Sequence, residues 1–288
     1  MAGNILQLSA QSTERKIEEV TIQGKFLNLP VKKVSENVTV ITRDQIQNTP
    51  AKSVEEVLAQ FTGFDIRRRG SNGVQADISL RGSSFEQVLI LVNGIRMSDS
   101  QTGHNSMSLP FDLASVERIE VIKGPSARSF GQNAYAGVVN IITTASDEEN
   151  ILVSGSGGDF GTYALGLGAN FGSKKISNFI QVNTASSEGY RYNTDYKISN
   201  IYYQNEIALQ NGKLKFQAGI QEKKFGANGF YASPSATDQY EETQASIVSL
   251  GLNQNFNTIK LNSNNYWRRG QDMYEYIRNK PEIYRNMH

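Results

Sequence analysis

The chain has 288 residues and a net charge of +1, which leaves room for one large domain or two ordinary ones and gives no indication of a nucleic-acid partner. It contains no cysteine, which excludes disulfide scaffolds and Cys-ligated metal sites. Mean hydropathy is −0.44, and no apolar run approaches the ~18–20 residues of a membrane-spanning helix. A helical membrane protein is excluded, whereas a transmembrane β-barrel, whose strands alternate in polarity, is not.

The N-terminal sequence MAGNILQLSAQ resembles the end of a secretory signal. A short apolar patch, Ile5 to Leu8, is followed by the small residues Ser9 and Ala10. The basic region and the full apolar core of a signal are missing. We therefore expect the true start to lie upstream of Met1, with a disordered soluble N-terminus as the alternative.

A helix is predicted after Ser53. Ser53 and Glu56 have the spacing of a capping box, in which each side chain accepts from the backbone amide of the other residue. Gly63 favours the end of the helix. The residues between them form one apolar helical face: Val54, Val57, Leu58 and Phe61.

Strand patterns follow the helix. Ile78 and Leu80 alternate with polar residues, which predicts a half-buried strand ending at Arg81 and Gly82. The continuous apolar run from Val88 to Val92 predicts a central strand covered on both faces, and Asn93-Gly94 predicts a turn after it. Residues from about 38 to 144 thus form a small α+β domain.

After about Asp147 the helical patterns fade and strict alternation replaces them. Apolar residues occupy one face of each segment, as in Tyr163 to Phe171 and Leu214 to Ile220. Such strands suit a membrane barrel, with lipid on one side and a polar lumen on the other. Aromatic residues are expected near the strand ends: Tyr202, Tyr203, Tyr266 and Trp267.

About seven strands are predicted here, and their connections alternate in length. The links after the second, fourth and sixth strands are tight, those after the third and fifth are long and polar, and that after the first is intermediate. Outer-membrane barrels have short periplasmic turns and long external loops; a soluble β-sandwich with uneven loops is the alternative. The predicted strands lie near 149–156, 162–171, 176–184, 197–210, 213–222, 243–254 and 258–269.

The most informative stretch runs from Gly124 to Thr144, where VERIEVIKGP leads into a Gly/Ser/Asn-rich turn region and then the apolar strand GVVNIIT. With VTVITRDQIQNTPAKSVEEVLAQFTGFDIR, ISLRG and VLILVNGIRM before it, this order of segments resembles the plug domain of TonB-dependent outer-membrane receptors. The resemblance implies an α+β plug domain at 35–146. It also implies antiparallel transmembrane β-barrel strands at 147–288, belonging to an incomplete barrel of a 22-stranded type.

The resemblance further implies a partner, a TonB-type periplasmic energy transducer that pulls on an N-terminal Ton box. The N-terminal segment, 1–34, contains IEEVTI, which looks like such a box and could pair edge-on with a strand of the partner. A solvated linker is the alternative. The residues proposed for this contact are Glu18, Glu19, Val20, Thr21 and Ile22.

Three departures from the family pattern carry consequences. Lys123 stands where the family often has Arg, so the expected pairing of Arg81 and Lys123 with barrel carboxylates loses one bidentate contact. The N-terminal segment is too short for an extra β-sandwich, which favours a receptor for metal chelates or cobalamin-like ligands. The amino-acid sequence of the plug is most similar to cobalamin-receptor-like members of the family. About seven strands cannot close around a plug, and an open edge in lipid is costly, so we expect a fragment or a truncated reading frame.

The chain offers no catalytic Ser/His/acid or Cys/His set. The uptake that the resemblance implies makes or breaks no bond, so an enzyme is rejected. Arg67, Arg68 and Arg69 could attract an anionic ligand, and His104 could contact a metal chelate in an external loop; solvated loop residues are the alternative. No cofactor is expected, although the oxygen donors Asp238, Glu241 and Glu242 could bind calcium in a long loop.

The sequence therefore predicts a receptor in the outer membrane of a Gram-negative bacterium, in contact with its lipid. Its task would be energy-coupled uptake of a scarce nutrient such as cobalamin, a ferric siderophore or haem, without a nucleic-acid partner. The alternatives are a non-functional truncated fragment of such a receptor and a soluble periplasmic binding or signalling module with a plug fold.

Overall fold

The structure is a computed structural model that describes residues 21–23, 28–30, 37–71, 73–99, 102–124, 127, 130–146, 149–231 and 233–288. Its two main parts are a five-stranded mixed sheet with two helices and an eight-stranded antiparallel sheet. No helix among these residues is long and apolar enough to cross a membrane.

The first part alternates strands with short helices. Two small antiparallel pairs accompany its five-stranded sheet. Its elements are β1 (Thr21–Gln23), β2 (Asn28–Pro30), β3 (Asn37–Thr42), α1 (Arg43–Gln47), α2 (Val54–Phe61), β4 (Asp65–Arg69), β5 (Gln75–Ser79), β6 (Val88–Val92), β7 (Ile95–Arg96), β8 (Val116–Lys123) and β9 (Gly137–Thr143), with single 3₁₀ turns at Phe85–Gln87, Gly103–Asn105 and Leu113–Ser115.

The five-stranded sheet has the order β3-β8-β9-β6-β7. Every residue of β6 and β9 is buried. The sequence of β6 is continuously apolar and has no face that prefers water, whereas the polar Asn140 of β9 is buried with a hydrogen bond to Glu120 at 3.0 Å. The predicted central strand is confirmed, and it pairs in parallel with β9. Asn93 and Gly94 both adopt positive φ, 50° and 80°, which gives the tight predicted turn into β7.

The two expected strands flank the turn region that begins at Gly124: β8 ends at Lys123 and β9 begins at Gly137. β8 and β9 pair antiparallel from Lys123 opposite Gly137. A Cβ at Gly137 would lie 3.1 Å from the Ile122 carbonyl oxygen and 3.1 Å from Leu80 Cδ2. Glycine at this position therefore permits close packing of the two strands.

Helix α2 forms where predicted, but the predicted capping box at Ser53 is wrong. The Ser53 side chain makes no capping bond and its hydroxyl is buried without a partner among the described residues. Glu56 instead accepts from the Lys52 amide at 2.8 Å and from Arg68 at 3.1 Å. A complete capping box forms at α1, between Thr42 and Gln45.

The second part is a meander in which each strand pairs with the next. It contains the seven predicted strands, most of them longer than predicted, and an eighth of three residues at the end that sequence reasoning missed. The first and last strands do not pair with each other, so the sheet of the described residues is open. The strands are β10 (Asn150–Gly157), β11 (Tyr163–Ser173), β12 (Ile176–Ser187), β13 (Tyr196–Leu209), β14 (Gly212–Gly226), β15 (Tyr240–Phe256), β16 (Ile259–Glu275) and β17 (Arg285–Met287).

The predicted alternation of connection lengths is confirmed. Two-residue turns join β11 to β12, β13 to β14 and β15 to β16 at one end of the sheet. The connections at the opposite end are longer: 158–162, 188–195, 227–239 and 276–284. We call these the short-turn end and the long-loop end.

The two faces of the large sheet differ in polarity. Polar side chains of one face are buried against the first domain, whereas the apolar side chains of the other face are exposed. Tyr202 was expected near a strand end, but it lies in the middle of β13 and is buried, 1% exposed. Exposed apolar residues of the outer face include Leu165, Leu167, Phe171, Val182, Ile201, Val248 and Leu250.

Candidate functional site: the plug apex and the plug–sheet interface

The hairpin of β4 and β5 lies at the long-loop end of the large sheet. Lys223, close to the loop end of β14, is 3% exposed. Its ammonium donates to the carbonyls of Gly73 at 2.7 Å and Val74 at 3.2 Å, in the hairpin turn. This buried cation links the hairpin to the sheet. We call the hairpin, residues 65–79, together with His104 and Tyr231, the apex.

Three charged or ionisable side chains meet at the apex. Arg69 Nη1 donates to Asp77 Oδ2 at 2.7 Å, and His104 Nδ1 lies 2.8 Å from Asp77 Oδ1. The side chains of Arg69 and Asp77 are 13% and 7% exposed. Burial strengthens these contacts, since water does not screen them.

A second polar group extends the apex to the sheet. Gln75 donates to the Tyr231 hydroxyl at 2.6 Å, and this hydroxyl donates to Glu241 on β15 at 2.5 Å. Burial and the neighbouring Glu241 carboxylate raise the pKa of Tyr231. The phenol therefore stays protonated and serves as a donor from 227–239, the longest connection at the long-loop end.

The structure brings together only part of the predicted ligand set. Arg69 and His104 lie side by side, whereas Arg68 pairs with Glu56 at 3.1 Å and Arg67 is exposed. Sequence reasoning missed the roles of Gln75, Asp77 and Tyr231. No local pattern marked them, because the contacts that complete the apex are distant in the sequence: His104 is 27 positions from Asp77, and Tyr231 is 156 positions from Gln75.

The predicted calcium ligands point in different directions. Glu241 is buried, whereas Glu242 pairs with Lys224 at 3.0 Å on the opposite face of β15. Asp238 accepts from the Tyr192 hydroxyl at 2.5 Å. In the part of the chain that the structure describes, no group of three or more His, Asp or Glu side chains is placed to hold a metal ion.

The predicted pairing of two plug cations with barrel carboxylates is not among the contacts of the described residues. Lys123 donates to the Thr62 carbonyl within its own domain. Arg81 is exposed at a turn with φ 53°. Of the proposed Ton box, Glu18, Glu19 and Val20 lie outside the described residues, and Thr21 and Ile22 belong to β1, which pairs with β2.

The interface between the two sheets is a network of polar side chains. The Thr143 hydroxyl at the end of β9 lies 2.8 Å from the Tyr202 hydroxyl and 2.6 Å from Gln204 Oε1. The Tyr202 hydroxyl also lies 3.0 Å from Gln217 Oε1, which accepts from Asn93 at 2.6 Å. Nearly every group of the network is buried, so each depends on its partners in place of water.

A similar contact lies nearer to α1. Ser115 donates to Gln181 Oε1 at 2.6 Å, and Gln181 Nε2 donates to Asp112. Burial raises the pKa of Asp112, while the hydrogen bonds from Gln181 and from the Ala114 amide lower it. The first domain is thus held on the inner face of the sheet by hydrogen bonds as well as by apolar contacts.

Comparison with known proteins agrees with this arrangement. Residues 30–138 match the family model of the TonB-dependent receptor plug domain. The vitamin B12 transporter BtuB of Vibrio vulnificus is 35% identical over 154 residues, which cover 53% of this chain and 25% of the relative. That of Photobacterium profundum is 27% identical over 264 residues, covering 87% and 42%. The chain spans less than half the length of these relatives.

Solved structures extend the likeness to the large sheet. The alcaligin outer-membrane receptor FauA from Bordetella pertussis superposes with a TM-score of 0.68 at 17% identity, covering 86% of this chain and 41% of that one. The ferric yersiniabactin uptake receptor FyuA from Yersinia pestis gives 0.66 at 16%, covering 83% and 41%. At these identities the likeness shows the fold, a plug domain followed by strands of an incomplete barrel.

Proposed function

We propose that this chain, whose residues 30–138 match the TonB-dependent receptor plug domain, belongs to that receptor family. We further propose that it takes part in energy-coupled uptake of a large, scarce nutrient across the outer membrane of a Gram-negative bacterium. The main support is the position of the plug. It rests on the polar inner face of a sheet whose outer face is apolar and exposed. A wall with lipid outside and a removable plug inside is what a gated importer requires.

The ligand class we propose is a cobalamin-like corrinoid, with other metal chelates such as siderophores or haem as alternatives. Support comes from the relatives of the plug, which are vitamin B12 transporters. The apex supplies the first contact surface, with Arg69, His104 and Tyr231 at the long-loop end. The relatives are transporters, and the proposed activity neither forms nor breaks a covalent bond.

The proposed mechanism begins when ligand binds at the external loops and the apex. A periplasmic transducer then pairs with the segment that contains Glu18 to Ile22, and its pull moves the plug. The polar interface suits this step, because a hydrogen bond between side chains can be exchanged for one to water at a small net cost. An apolar interface of the same size would cost more to expose.

The test is complementation in a bacterial strain that lacks its own vitamin B12 transporter and depends on external cobalamin for growth. The complete protein that contains this sequence is expressed, and uptake of radiolabelled cobalamin is measured with and without the energy transducer. We expect uptake that requires the transducer, together with recovery of the protein in the outer-membrane fraction. Recovery in the soluble periplasmic fraction would contradict the proposal.

A matched pair of variants tests the Ton box. Val20→Pro removes a backbone donor needed for edge-to-edge strand pairing, whereas Val20→Ala keeps it. We expect the proline variant to bind cobalamin at the cell surface but to lose uptake, and the alanine variant to retain both. Equal uptake by the two variants would place the transducer contact elsewhere.

A further inference from the structure

His104 is held in one orientation by three neighbours. Its ring stacks on Phe85 with the ring centroids 4.4 Å apart. Its Nδ1 lies 2.8 Å from Asp77 Oδ1, and the Tyr231 ring centroid is 6.0 Å away. An imidazole fixed on one side by a carboxylate and on one face by an aromatic ring has little rotational freedom left.

The contacts of Nδ1 determine which nitrogen carries the lone pair. Arg69 Nη1 also lies 3.2 Å from Nδ1, but an arginine can only donate, whereas the Asp77 carboxylate can only accept. The carboxylate contact is shorter, and Arg69 has its own bond to Asp77 at 2.7 Å. Nδ1 therefore carries its proton toward Asp77, and the lone pair of the neutral ring is on Nε2.

Nε2 is left available on the ligand side of the plug. The side chain of His104 is 29% exposed, and within the described ranges Nε2 has no hydrogen-bond partner. A histidine whose Nδ1–H is bound by a carboxylate while its Nε2 is open has the arrangement of a metal-ligating histidine. The carboxylate fixes the tautomer and the orientation of the ring.

We propose that Nε2 of His104 coordinates the metal of the transported cargo, and that this cargo is a corrinoid chelate with an exchangeable coordination position. A free cation would need several protein ligands, and the described residues provide no group of three or more His, Asp or Glu side chains for one. A metal that arrives with most of its ligands in a chelate needs only one more. This inference rests on the proposed function, since it concerns the same apex.

The experiment uses two forms of one probe and the purified complete protein in detergent. Cobinamide with water at both axial positions of its cobalt can exchange a ligand for imidazole, whereas dicyanocobinamide has both positions blocked by cyanide. We expect the protein to shift the visible absorption bands of the water-ligated form and to leave those of the dicyano form unchanged.

The variants separate coordination from packing. His104→Ala should abolish the spectral shift and weaken binding of the water-ligated form at least about tenfold, with dicyanocobinamide binding unchanged. Asp77→Asn should weaken binding of the water-ligated form by about 10- to 100-fold, which is the usual effect of losing the carboxylate that hydrogen-bonds a metal-bound histidine. His288→Ala, at the only other histidine, is the matched control and should behave as the unchanged protein.

The outcomes distinguish the two claims. If both forms bind and His104→Ala changes neither the spectrum nor the affinity, the coordination inference is overturned while the corrinoid receptor assignment stands. If neither form binds the unchanged protein, the corrinoid assignment is overturned and this inference with it. Retained dicyanocobinamide binding in each variant confirms that the apex is still folded.

Discussion

The outer and inner faces of the eight-stranded sheet reverse the usual arrangement of a soluble protein. On β12, Val182 points outward and is 48% exposed, whereas its neighbour Gln181 points inward and is 3% exposed. A soluble antiparallel sheet buries its apolar face and exposes its polar one. The difference indicates that the outer face is built for lipid and the inner face for a polar partner, the plug.

The two faces also bind their surroundings in different ways. Apolar contacts with lipid cannot be replaced by water without the full cost of hydrating them. Polar contacts with the plug can be replaced by water at a much smaller net cost. Under the proposed function, the sheet stays in the membrane while the plug can leave it. The predictions below test the outer face first and the inner face second.

The largest effect is expected for a charge on the outer face. Val182→Lys places an ammonium near the middle of β12, where lipid would surround it, and should destabilise membrane insertion by about 2–4 kcal/mol. The measurement is urea-dependent folding of the complete protein into phospholipid vesicles.

A depth control sharpens this prediction. Phe171 is also exposed on the outer face but lies close to the short turn that follows Ser173. Phe171→Lys should destabilise membrane insertion by only about 0–1 kcal/mol, as expected near a membrane interface. Equal costs at the two positions would mean that the outer face does not contact a lipid core.

An intermediate effect is expected at the inner face. Tyr202→Phe removes the hydroxyl that lies between Thr143, Gln204 and Gln217. Buried polar groups that lose a partner cost about 1–3 kcal/mol, so the plug should dock less tightly while its own core is unchanged.

The reaction rate of a single introduced cysteine measures how tightly the plug is docked, since the chain has no cysteine of its own. Ile247→Cys lies on the inner face at 1% exposure and should react faster with a thiol reagent in the Tyr202→Phe background. Tyr203→Phe is the matched control, because this adjacent hydroxyl contacts Asn178 within the sheet. If the control accelerates labelling equally, the Tyr202 network does not hold the plug.

The smallest effect concerns pH. Burial raises the pKa of Asp112 above its ordinary value of 3.8, so the folded protein binds this proton more tightly than the unfolded chain. The resulting stabilisation is fully present below pH 3.8 and is lost as the pH rises through the raised pKa of the folded state.

Asp112→Asn should remove this part of the pH dependence. The side-chain oxygen that accepts from Ala114 and Gln181 is kept, while the buried charge is not formed. Docking of the plug should then vary less with pH above 4, measured again by cysteine labelling at position 247. An unchanged pH profile would show that Asp112 does not control it.

Much of the fold could be predicted because its determinants are local. The apolar run from Val88 to Val92 and the Asn93-Gly94 turn specify β6 and its hairpin in a few residues. The alternation of β10 to β16 and the lengths of their connections were also visible in the sequence. The capping box at Ser53 failed because Glu56 found other partners, Lys52 and Arg68, and spacing alone does not exclude such competition.

The candidate site could be predicted only in part. Arg69 and His104 stood out as polar residues in loops, but Asp77 and Tyr231 did not. The apex forms because a plug hairpin, a plug loop and a long connection of the sheet meet in space. The proposed calcium residues, consecutive or nearly so, diverge because neighbours along a strand point to opposite faces.

By itself, the sequence determined the elements: where strands run, where they turn, and which face of each strand is apolar, since hydrophobic period and turn chemistry are local properties. Only the tertiary structure decided which polar groups meet. Thr143 and Tyr202 are 59 positions apart and Gln75 and Tyr231 are 156 apart. Contacts at such separations depend on how the plug is seated against the sheet, and no local pattern of residues encodes that placement.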